Sequence, residues 1–359
     1  MRVGIVGLPN AGKSSLFTAL TGTAAEAANY PFTTIEPNLA VVPVADERLE
    51  AVARTVRASN IVPDTIAFHD IAGLVAGAHR GEGLGNQFLA NIRETDAIVH
   101  VVRVHTEPNV VHPEGRVDPM ADVETIETEL LYADLEQAER RRDRVVRAAK
   151  SGDRRAVAEA AWLEQLVEAL QSGRPASEVP PPRDAPDAMA ALQPLTAKPV
   201  LFVANVDEGS DEVPPALAEH ARARGAAVVA LSARIEAELA ELDPEEAAAM
   251  RADLGLSESG LTRVVRGAFQ LLDLVAFFTA GEDKPAQSWH LRRGLSVWHA
   301  AGMVHSDIQR GFVRAEVVPW SELADAGGYA GARDRGTLRI EGRDYVVADG
   351  DVITVRFTP

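Results

Sequence analysis

A glycine-rich segment near the start of the chain restricts the possible folds more than any other feature. Residues 7–15 read GLPNAGKSS and match the pattern G-x-x-x-x-G-K-[ST]. An apolar run typical of a buried strand, residues 2–6, precedes the segment, and a helical pattern begins near Lys13. Between a strand and a helix, backbone N–H groups and the positive end of the helix surround a phosphate. The sequence therefore predicts an α/β fold with a phosphate-binding loop.

The side chains of this loop predict a nucleoside triphosphate site with Mg²⁺. Lys13, the main catalytic candidate, is expected to reach the β- and γ-phosphates, and the Ser14 hydroxyl is expected to ligate Mg²⁺. The chain has only four lysines, so composition does not explain a lysine at this position. The alternative is a glycine-rich turn with a chance lysine; a dinucleotide fold is disfavoured because G-x-G-x-x-G is absent. The other loop residues predicted to contact the nucleotide are Asn10, Ala11, Gly12 and Ser15.

The composition excludes several kinds of protein. Because it has no cysteine, the chain has no disulfide, thiolate metal site or cysteine nucleophile. The apolar runs at residues 97–102 and 200–204 are far shorter than the roughly 20 residues that span a bilayer, so no membrane partner is expected. The 359 residues are 46% hydrophobic and 25% charged, as in soluble proteins of about two or three domains. We expect a cytoplasmic protein; the sequence does not specify an oligomeric state, and a monomer is assumed.

Hydrophobic patterns divide the chain into three regions. Apolar runs alternate with helical segments in residues 1–119 and again in residues 187–273, which predicts one nucleotide-binding domain. Within residues 120–186, apolar residues recur at steps of three and four on two arms, which predicts an antiparallel helical hairpin followed by a proline-rich surface connection. Short strands between Gly and Asp turns predict a separate β-rich domain at residues 274–359. The predicted strands are residues 2–6, 39–44, 65–69, 97–102, 199–204, 226–231, 337–340, 344–347 and 352–357.

Two further segments match the mobile parts of nucleotide-dependent switches. Asp70 and Gly73 belong to an Asp-x-x-Gly sequence, in which the carboxylate is expected to contact the waters around Mg²⁺ and the glycine N–H to sense the γ-phosphate. Upstream, Thr34 is favoured over Thr33 as the threonine that ligates the metal. The alternatives are that residues 70–85 form a simple connecting loop and that both threonines are turn residues.

A cluster of positive charge stands out in a chain whose formal net charge is −17. Eight basic residues lie between Glu139 and Arg155, against only three acidic residues. With such a negative net charge, any nucleic-acid contact must come from a local patch of this kind. A solvated helix face and a phosphate-binding face explain the cluster equally well. The basic residues are Arg140, Arg141, Arg142, Arg144, Arg147, Lys150, Arg154 and Arg155.

These motifs, together with residues 36–38 (EPN) and 81–94 (GEGLGNQFLANIRE), resemble the YchF/Obg-like ATPase family of P-loop proteins related to translation factors. The resemblance covers nearly the whole chain. It implies an OBG-type G domain of the TRAFAC class, an inserted coiled-coil hairpin, and a C-terminal TGS domain with an α+β, ubiquitin-like (β-grasp) fold. Residues 301–308 and 311–315 resemble the TGS signature, and residues 349–351 resemble its closing turn.

The residues after the predicted strand at 199–204 indicate which base is bound. A guanine-specific protein carries Asn-Lys-x-Asp here, whereas this chain has Asn205, Val206 and Glu208 at the telling positions. Glutamate is one methylene longer than aspartate, which misplaces its carboxylate for guanine, and Val206 lacks the lysine stem that covers the base. Asn205 is still expected to bind N7, and the backbone near Val206 is expected to contact the edge of the base. Ser232 belongs to residues 231–233, which resemble the last nucleotide-contacting loop. The family prefers ATP, so the resemblance implies ATP as the main ligand and weaker binding of GTP.

Several residues are candidates for the group that positions the attacking water. Switch GTPases such as Ras place glutamine directly after Asp-x-x-Gly, but this chain has Leu74. The family pattern suggests His112, whose alternative role is that of an exposed loop histidine; His79 and Arg80 are the next candidates. Asn10 matches an asparagine that accompanies potassium activation in related G domains, so K⁺ joins Mg²⁺ as a candidate cofactor.

The sequence as a whole predicts a slow, Mg²⁺-dependent ATPase that acts as a conformational switch. The resemblance implies binding to the ribosome or its large subunit through the basic hairpin, the TGS domain or both. One alternative is a translation-related GTPase. Another is a nucleotide-sensing module with negligible hydrolysis, which Leu74 favours. A phosphotransferase would need an acceptor pocket and a catalytic base that the sequence does not reveal.

Overall fold

The computed structural model describes residues 1–26, 38–71, 84–107, 115–256 and 258–358. The chain divides into two compact units. Among the described residues, the first unit holds Met1–Ala25, 38–41 and Ala67–Leu271, and the second holds Glu26, Val42–Ile66 and 272–358. None of the described helices is long and apolar enough to cross a membrane.

The described residues form two six-stranded sheets. In chain order the strands are β1 (Arg2–Val6), β2 (Leu39–Pro43), β3 (Ile61–Val62), β4 (Thr65–Asp70), β5 (Ala97–Arg103), β6 (Val200–Asn205), β7 (Ala227–Leu231), β8 (Leu274–Thr279), β9 (Ala286–Arg292), β10 (Phe312–Pro319), β11 (Arg339–Glu341) and β12 (Asp351–Phe357). The α-helices are α1 (Lys13–Glu26), α2 (Glu47–Val56), α3 (Leu84–Arg93), α4 (Pro119–Ala149), α5 (Arg154–Gln171), α6 (Ala188–Leu192), α7 (Pro215–Ala223), α8 (Ala233–Leu239), α9 (Pro244–Asp253), α10 (Gly260–Leu271), α11 (Val297–Val304), α12 (Ser306–Arg310), α13 (Trp320–Asp325) and α14 (Tyr329–Asp334).

The first unit is built on the sheet β2-β4-β1-β5-β6-β7. β1 pairs in parallel with β4 and β5, and the pairs β5–β6 and β6–β7 are also parallel. All seven residues of β5 are buried, as expected for a central strand of a parallel sheet. Because these strands end at one edge, the residues that follow them lie close together there. The α/β fold predicted from the sequence is confirmed.

Helices α4 and α5 form the predicted antiparallel hairpin. The Asp118 carboxylate caps α4 by accepting a hydrogen bond from Ala121 N at 3.1 Å, and Asp153 caps α5 by accepting one from Arg155 N at 3.2 Å. Gly152, in the turn between the arms, has φ +79°, a conformation that favours glycine. Leucines and valines at the heptad positions pack between the arms. The packed positions include Leu131, Leu135, Ala138, Val145, Leu163, Val167 and Leu170.

The proline-rich connection after α5 packs on the hairpin, which corrects the prediction of a surface segment. Ala176 and Ala185 are fully buried in the same apolar cluster as the two arms. The Trp162 Nε1 group of α5 donates a hydrogen bond to the Val179 carbonyl oxygen at 3.0 Å. The small apolar residues between the prolines give the segment one buried side.

The second unit has the sheet order β11-β10-β12-β8-β9-β3. β8 pairs antiparallel with β9 and parallel with β12, while β10 pairs antiparallel with both β12 and β11. Helix α11 packs on the sheet, with Val297 and Ala301 in one apolar cluster with Phe277 and Leu291. In the β-grasp fold, the first strand of a hairpin lies parallel to the last strand of the sheet, and a helix covers the sheet. Here β8 and β9 form that hairpin, β12 is the last strand, and α11 is the helix. The predicted fold of the C-terminal region is therefore confirmed.

The strand prediction at residues 344–347 is wrong. Val346 makes only an isolated bridge to Ser296, and the Tyr345 hydroxyl donates a hydrogen bond to Asp351 Oδ2 at 2.9 Å. Asp and Gly residues on both sides keep this apolar run within a turn. The sequence also predicted no strand between residues 274 and 337, where β8, β9 and β10 lie.

The segment Val42–Ile66 groups with the C-terminal residues, whereas the sequence-based boundaries place it in the nucleotide-binding domain. Helix α2 buries Leu49, Val52 and Val56 in a cluster that includes Phe278 and Val318. Strand β3 extends the second sheet by pairing in parallel with β9. The spacing of apolar residues predicts an amphipathic helix, but it does not specify which sheet the helix covers.

Candidate nucleotide-binding site

Loops at the carboxyl ends of β1, β5, β6 and β7 line a cavity of about 660 Å³. Small-molecule sites in proteins are typically about 300–1,000 Å³, so a nucleotide fits this space. The described residues that line it are Asn10, Gly12, Lys13, Ser14, Ser15, His105, Thr106, Glu107, Asn205, Val206, Asp207, Glu208, Ser232 and Arg234. The structure thus brings the phosphate-binding loop and the predicted base-reading residues to one cavity.

Close contacts explain why two positions of the phosphate-binding loop are occupied by glycine. Gly12 has φ +100°, and a Cβ atom there would lie 2.1 Å from Asn205 Nδ2. Gly7 has φ +157°, and a Cβ atom there would lie 2.5 Å from the Val101 carbonyl oxygen. Only glycine satisfies both the conformation and the available space at position 12. Asn10 also has a positive φ, +63°, which asparagine adopts more readily than most residues.

Lys13 and Asp70 are the charged groups at the phosphate end of the site. Lys13 is only 7% exposed, and its Nζ donates a hydrogen bond to the Leu8 carbonyl oxygen at 2.8 Å. Burial lowers the pKa of Lys13, and the charge of Asp70 partly offsets this effect. Burial also raises the pKa of Asp70, and Lys13 acts in the opposite direction. Buried groups with shifted pKa values are typical of functional sites.

The residues at this end fit a Mg²⁺ ion beside a triphosphate. Ser14 is exposed to the cavity, and Asp70 Oδ1 is buried without a hydrogen-bond partner in the described part of the chain. Hydroxyl and carboxylate oxygens suit Mg²⁺ and its bound waters. The described ranges hold no group of three or more His, Cys, Asp or Glu side chains that could bind a metal alone. The ion would therefore depend on phosphate oxygens as well, which is usual for Mg²⁺.

Asn205 connects the phosphate-binding loop to the loop after β7. Its Nδ2 group donates a hydrogen bond to the Ala11 carbonyl oxygen at 3.0 Å, and its Oδ1 accepts one from Ala233 N at 2.9 Å. The second hydrogen on Nδ2 remains for an acceptor such as N7 of a purine. Ser232 caps α8 by accepting a hydrogen bond from Ile235 N. Asn205 therefore joins two loops that line the cavity, in addition to its predicted contact with the base.

Val206 and Glu208 face different surroundings. Val206 is 3% exposed, packs in an apolar cluster, and donates its N–H to the Leu231 carbonyl oxygen at 3.0 Å. Glu208 is exposed, and its Oε1 lies 3.3 Å from Arg234 Nη1. The same Arg234 nitrogen lies 3.5 Å from Glu107 Oε1. The carboxylate expected to face the base is thus paired with a guanidinium at the cavity rim.

Five cavity residues were missed by the sequence analysis: His105, Thr106, Glu107, Asp207 and Arg234. Residues 105–107 approach the site because β5 and β6 pair, and Val104 N and His105 N both donate to the Asn205 carbonyl oxygen at 2.9 Å. No local pattern could have indicated this contact, which depends on strand pairing. The place of Arg234 at the site could have been inferred from the sequence, because it directly follows Ser232 and Ala233 of the predicted last nucleotide-contacting loop.

Several predicted site residues lie outside the described ranges, so their roles stay predictions. They belong to the two switch segments and to the loop after β5. The residues concerned are Thr33, Thr34, Gly73, Leu74, His79, Arg80 and His112.

The basic cluster on the hairpin is partly neutralised by acidic neighbours. Arg141 Nε lies 2.6 Å from Glu159 Oε1, which ties the two arms together. Arg147 and Lys150 are exposed near the turn and have no acidic partner within the described part of the chain. The remaining arginines with acidic partners are Arg140, Arg142, Arg154 and Arg155.

Family models match both ends of the chain. Residues 2–137 match a family described as 50S ribosome-binding GTPase. Residues 274–358 match the family YchF-GTPase_C, which is described as a protein of unknown function. The chain is 45% identical to the ribosome-binding ATPase YchF of Bacillus subtilis and 48% identical to that of Haemophilus ducreyi, and each alignment covers 99% of both chains.

Solved structures support the same relationship. The YchF GTPase of Schizosaccharomyces pombe is 30% identical, with a TM-score of 0.87 over 99% of this chain and 97% of that one. A GTP-binding protein of Pyrococcus horikoshii has a TM-score of 0.65 at 20% identity, which supports the fold alone.

Proposed function

Because the chain belongs to the YchF family, we propose that it slowly hydrolyses ATP with Mg²⁺ and binds the ribosome. The names of its bacterial relatives describe this activity and this partner. The observation that carries the proposal is the cavity, which has Lys13 and Ser14 at one end and Asn205 and Glu208 at the other. We further propose that the protein works in the cytoplasm, where a ribosome-binding protein acts.

Lys13 is the central residue of the proposed reaction. Its ammonium would exchange the Leu8 carbonyl oxygen for the β- and γ-phosphates, where its charge favours the transition state. Ser14 and Thr34 would hold Mg²⁺, and Asp70 would contact its waters. When bound, the ion neutralises charge that develops on the transferred phosphoryl group. Gly73 would report the γ-phosphate to the switch.

The proposed rate is slow because Leu74 cannot orient a water molecule. Among the proposed site residues, His112 takes this role. We expect His112→Ala to slow single-turnover hydrolysis while the affinity for ATP stays within about twofold, because the residue acts on water and not on the base. An unchanged rate would remove His112 from the mechanism. If bound ATP stays intact for hours in the unaltered protein, the protein is a nucleotide-sensing module instead.

The preference for ATP is proposed from Glu208 and Val206, because the names of the relatives differ on the base. The bacterial proteins are called ATPases and the fission-yeast protein a GTPase. Calorimetric titration with Mg²⁺–ATP and Mg²⁺–GTP under the same conditions tests the preference directly. Tighter binding of GTP would replace this proposal with that of a translation-related GTPase.

Potassium is a second proposed cofactor, at Asn10. Its place on the phosphate-binding loop, at the cavity, is the support for this role. Turnover measured in KCl and in NaCl at equal ionic strength tests it, with Asn10→Ala as the variant. We expect a loss of the KCl advantage in the variant; equal rates of the unaltered protein in both salts would exclude K⁺.

The basic hairpin is the proposed ribosome contact, alone or together with the TGS domain. Arg147 and Lys150 support it because they are exposed without acidic partners in the described chain. The double variant Arg147→Glu/Lys150→Glu should sediment less with ribosomes, and its binding should depend less steeply on salt. Arg222→Glu, an exposed change on α7, is the control. Equal loss in the variant and the control would argue against a specific hairpin contact.

A further inference from the structure

Arg234 is held at the rim of the nucleotide cavity by the loop after β7. The backbone N–H of Ala233, directly before it, is bound to Asn205 Oδ1 at 2.9 Å, which fixes the start of α8. The Arg234 side chain is 58% exposed, and its Nε lies 3.1 Å from Glu238 Oε1, one helical turn further along. Its Nη1 is thereby directed to Glu208 and Glu107, at 3.3 and 3.5 Å.

The charges around the cavity make Arg234 the main partner of Glu208. Among the described lining residues, the permanent cations are Lys13 and Arg234. Lys13 is buried in the phosphate-binding loop with its Nζ on the Leu8 carbonyl oxygen. Asp207, the carboxylate next to Glu208, is occupied by Thr106, which donates from its backbone N at 3.1 Å and its Oγ1 at 3.3 Å. Arg234 is therefore the cation that pairs with Glu208 among the described residues of the cavity.

This pairing affects the two purines differently. Guanine presents N–H donors at N1 and at its 2-amino group, and a free carboxylate accepts both. A carboxylate that already accepts from a guanidinium must give up that charge-assisted hydrogen bond to do so. Adenine has an acceptor at N1, which gains nothing from a free carboxylate and is compatible with a nearby N–H donor. The ion pair thus imposes its cost on guanine and not on adenine.

We propose that Arg234 is a specificity-determining residue, which disfavours GTP by holding the carboxylate of Glu208 in an ion pair. The inference rests on the proposed function, since it concerns the base preference of the same nucleotide site. Sequence reasoning assigned the preference to the length of Glu208 and to Val206, which lacks the lysine stem that covers the base. The structure adds Arg234, in the first turn of α8, as a residue that controls the availability of the carboxylate.

The test is a set of calorimetric titrations with Mg²⁺–ATP and Mg²⁺–GTP on the full-length protein. In Arg234→Ala, the ratio of GTP affinity to ATP affinity should rise about fivefold, the size expected for one half-exposed charged contact. In Arg234→Ala/Glu208→Gln, the ratio should return to within about twofold of the unaltered protein, because the freed carboxylate is gone. Arg266→Ala is the matched control: Arg266 is 57% exposed and paired with Glu258, and it does not line the cavity.

An unchanged ratio in Arg234→Ala would overturn the proposal. It would also be overturned if the increase persisted in the double variant, because the effect would then not pass through Glu208. Thermal melting of each variant shows that the fold is retained. An unaltered protein that prefers GTP would refute the proposed ATP preference, yet the change of ratio between it and Arg234→Ala would still decide the role of Arg234.

Discussion

At position 12, a single methyl group is expected to disturb the nucleotide site. Gly12→Ala would place a Cβ atom 2.1 Å from Asn205 Nδ2 and would also force alanine into φ +100°. We expect the free energy of unfolding to fall by about 2–4 kcal/mol from overpacking and backbone strain, and ATP binding to be lost. Urea denaturation and calorimetry measure the two effects.

Gly152→Ala is the control for this prediction. Gly152 has φ +79°, but nothing lies within 4 Å of the added Cβ atom. Only the backbone term of about 1 kcal/mol is expected there, with no effect on ATP binding. Equal losses in the two variants would mean that crowding by Asn205 does not matter.

The raised pKa of Asp70 predicts two opposite effects of pH. Burial is the main cause of the shift. In the proposed site Asp70 contacts the waters of Mg²⁺. As the pH falls through the raised pKa, the carboxyl group would take up a proton and lose this contact, so Mg²⁺-dependent affinity for ATP should decrease. In the nucleotide-free protein, the stability from this group is present below the ordinary carboxyl pKa and is lost as the pH rises through the raised value.

Calorimetry and thermal melting across a pH series, with Asp70→Asn as the comparison, measure both effects. The variant should lose both pH dependences, since it has no carboxyl group to titrate. If the variant retains the decrease in affinity at low pH, another group is responsible.

At the scale of helices and strands, Asp134 joins helix α4 of the hairpin to residues 195–196. Its buried carboxylate accepts hydrogen bonds from Leu195 N, Thr196 N and Thr196 Oγ1, each at 2.8 Å. Asp134→Ala leaves these donors without a partner, so the free energy of unfolding should fall by about 2–4 kcal/mol. Asp143→Ala, whose side chain is 67% exposed on the same helix, should change it by less than about 0.5 kcal/mol. Urea denaturation, monitored by circular dichroism, measures the free energy of unfolding of each variant. Similar losses in both variants would contradict the role of Asp134.

The elements that were predicted correctly are those with a local pattern. The phosphate-binding loop joins a strand to a helix within fifteen residues, and the heptads of α4 and α5 are continuous along the chain. The contacts that were missed join distant segments. Arg234 reaches Glu107 across more than 120 residues, and α2 packs on strands that begin more than 200 residues later. Apolar spacing identifies the face of a helix that is buried, but not the partner that buries it.

At the scale of the whole molecule, the C-terminal family match is shorter than the folded unit that contains it. Residues 274–358 match the family, but Leu49, Val52 and Val56 of α2 complete the core of the unit. A fragment of residues 272–359 should therefore bind hydrophobic dyes and aggregate, because its sheet lacks this cover. A fragment in which residues 42–66 are joined to it by a Gly/Ser linker should be soluble and melt cooperatively. Equal behaviour of the two fragments would show that α2 is dispensable.

The position of α2 also has a consequence for synthesis on the ribosome. Residues 42–66 leave the exit tunnel early, but the strands they cover are translated about 200 residues later. At roughly 5–20 residues per second, this apolar helix waits about 10–40 s for its partners. During that interval the nascent chain needs either a chaperone or a temporary contact to cover the helix. Strands translated about 200 residues later thus determine when helix α2 becomes stable.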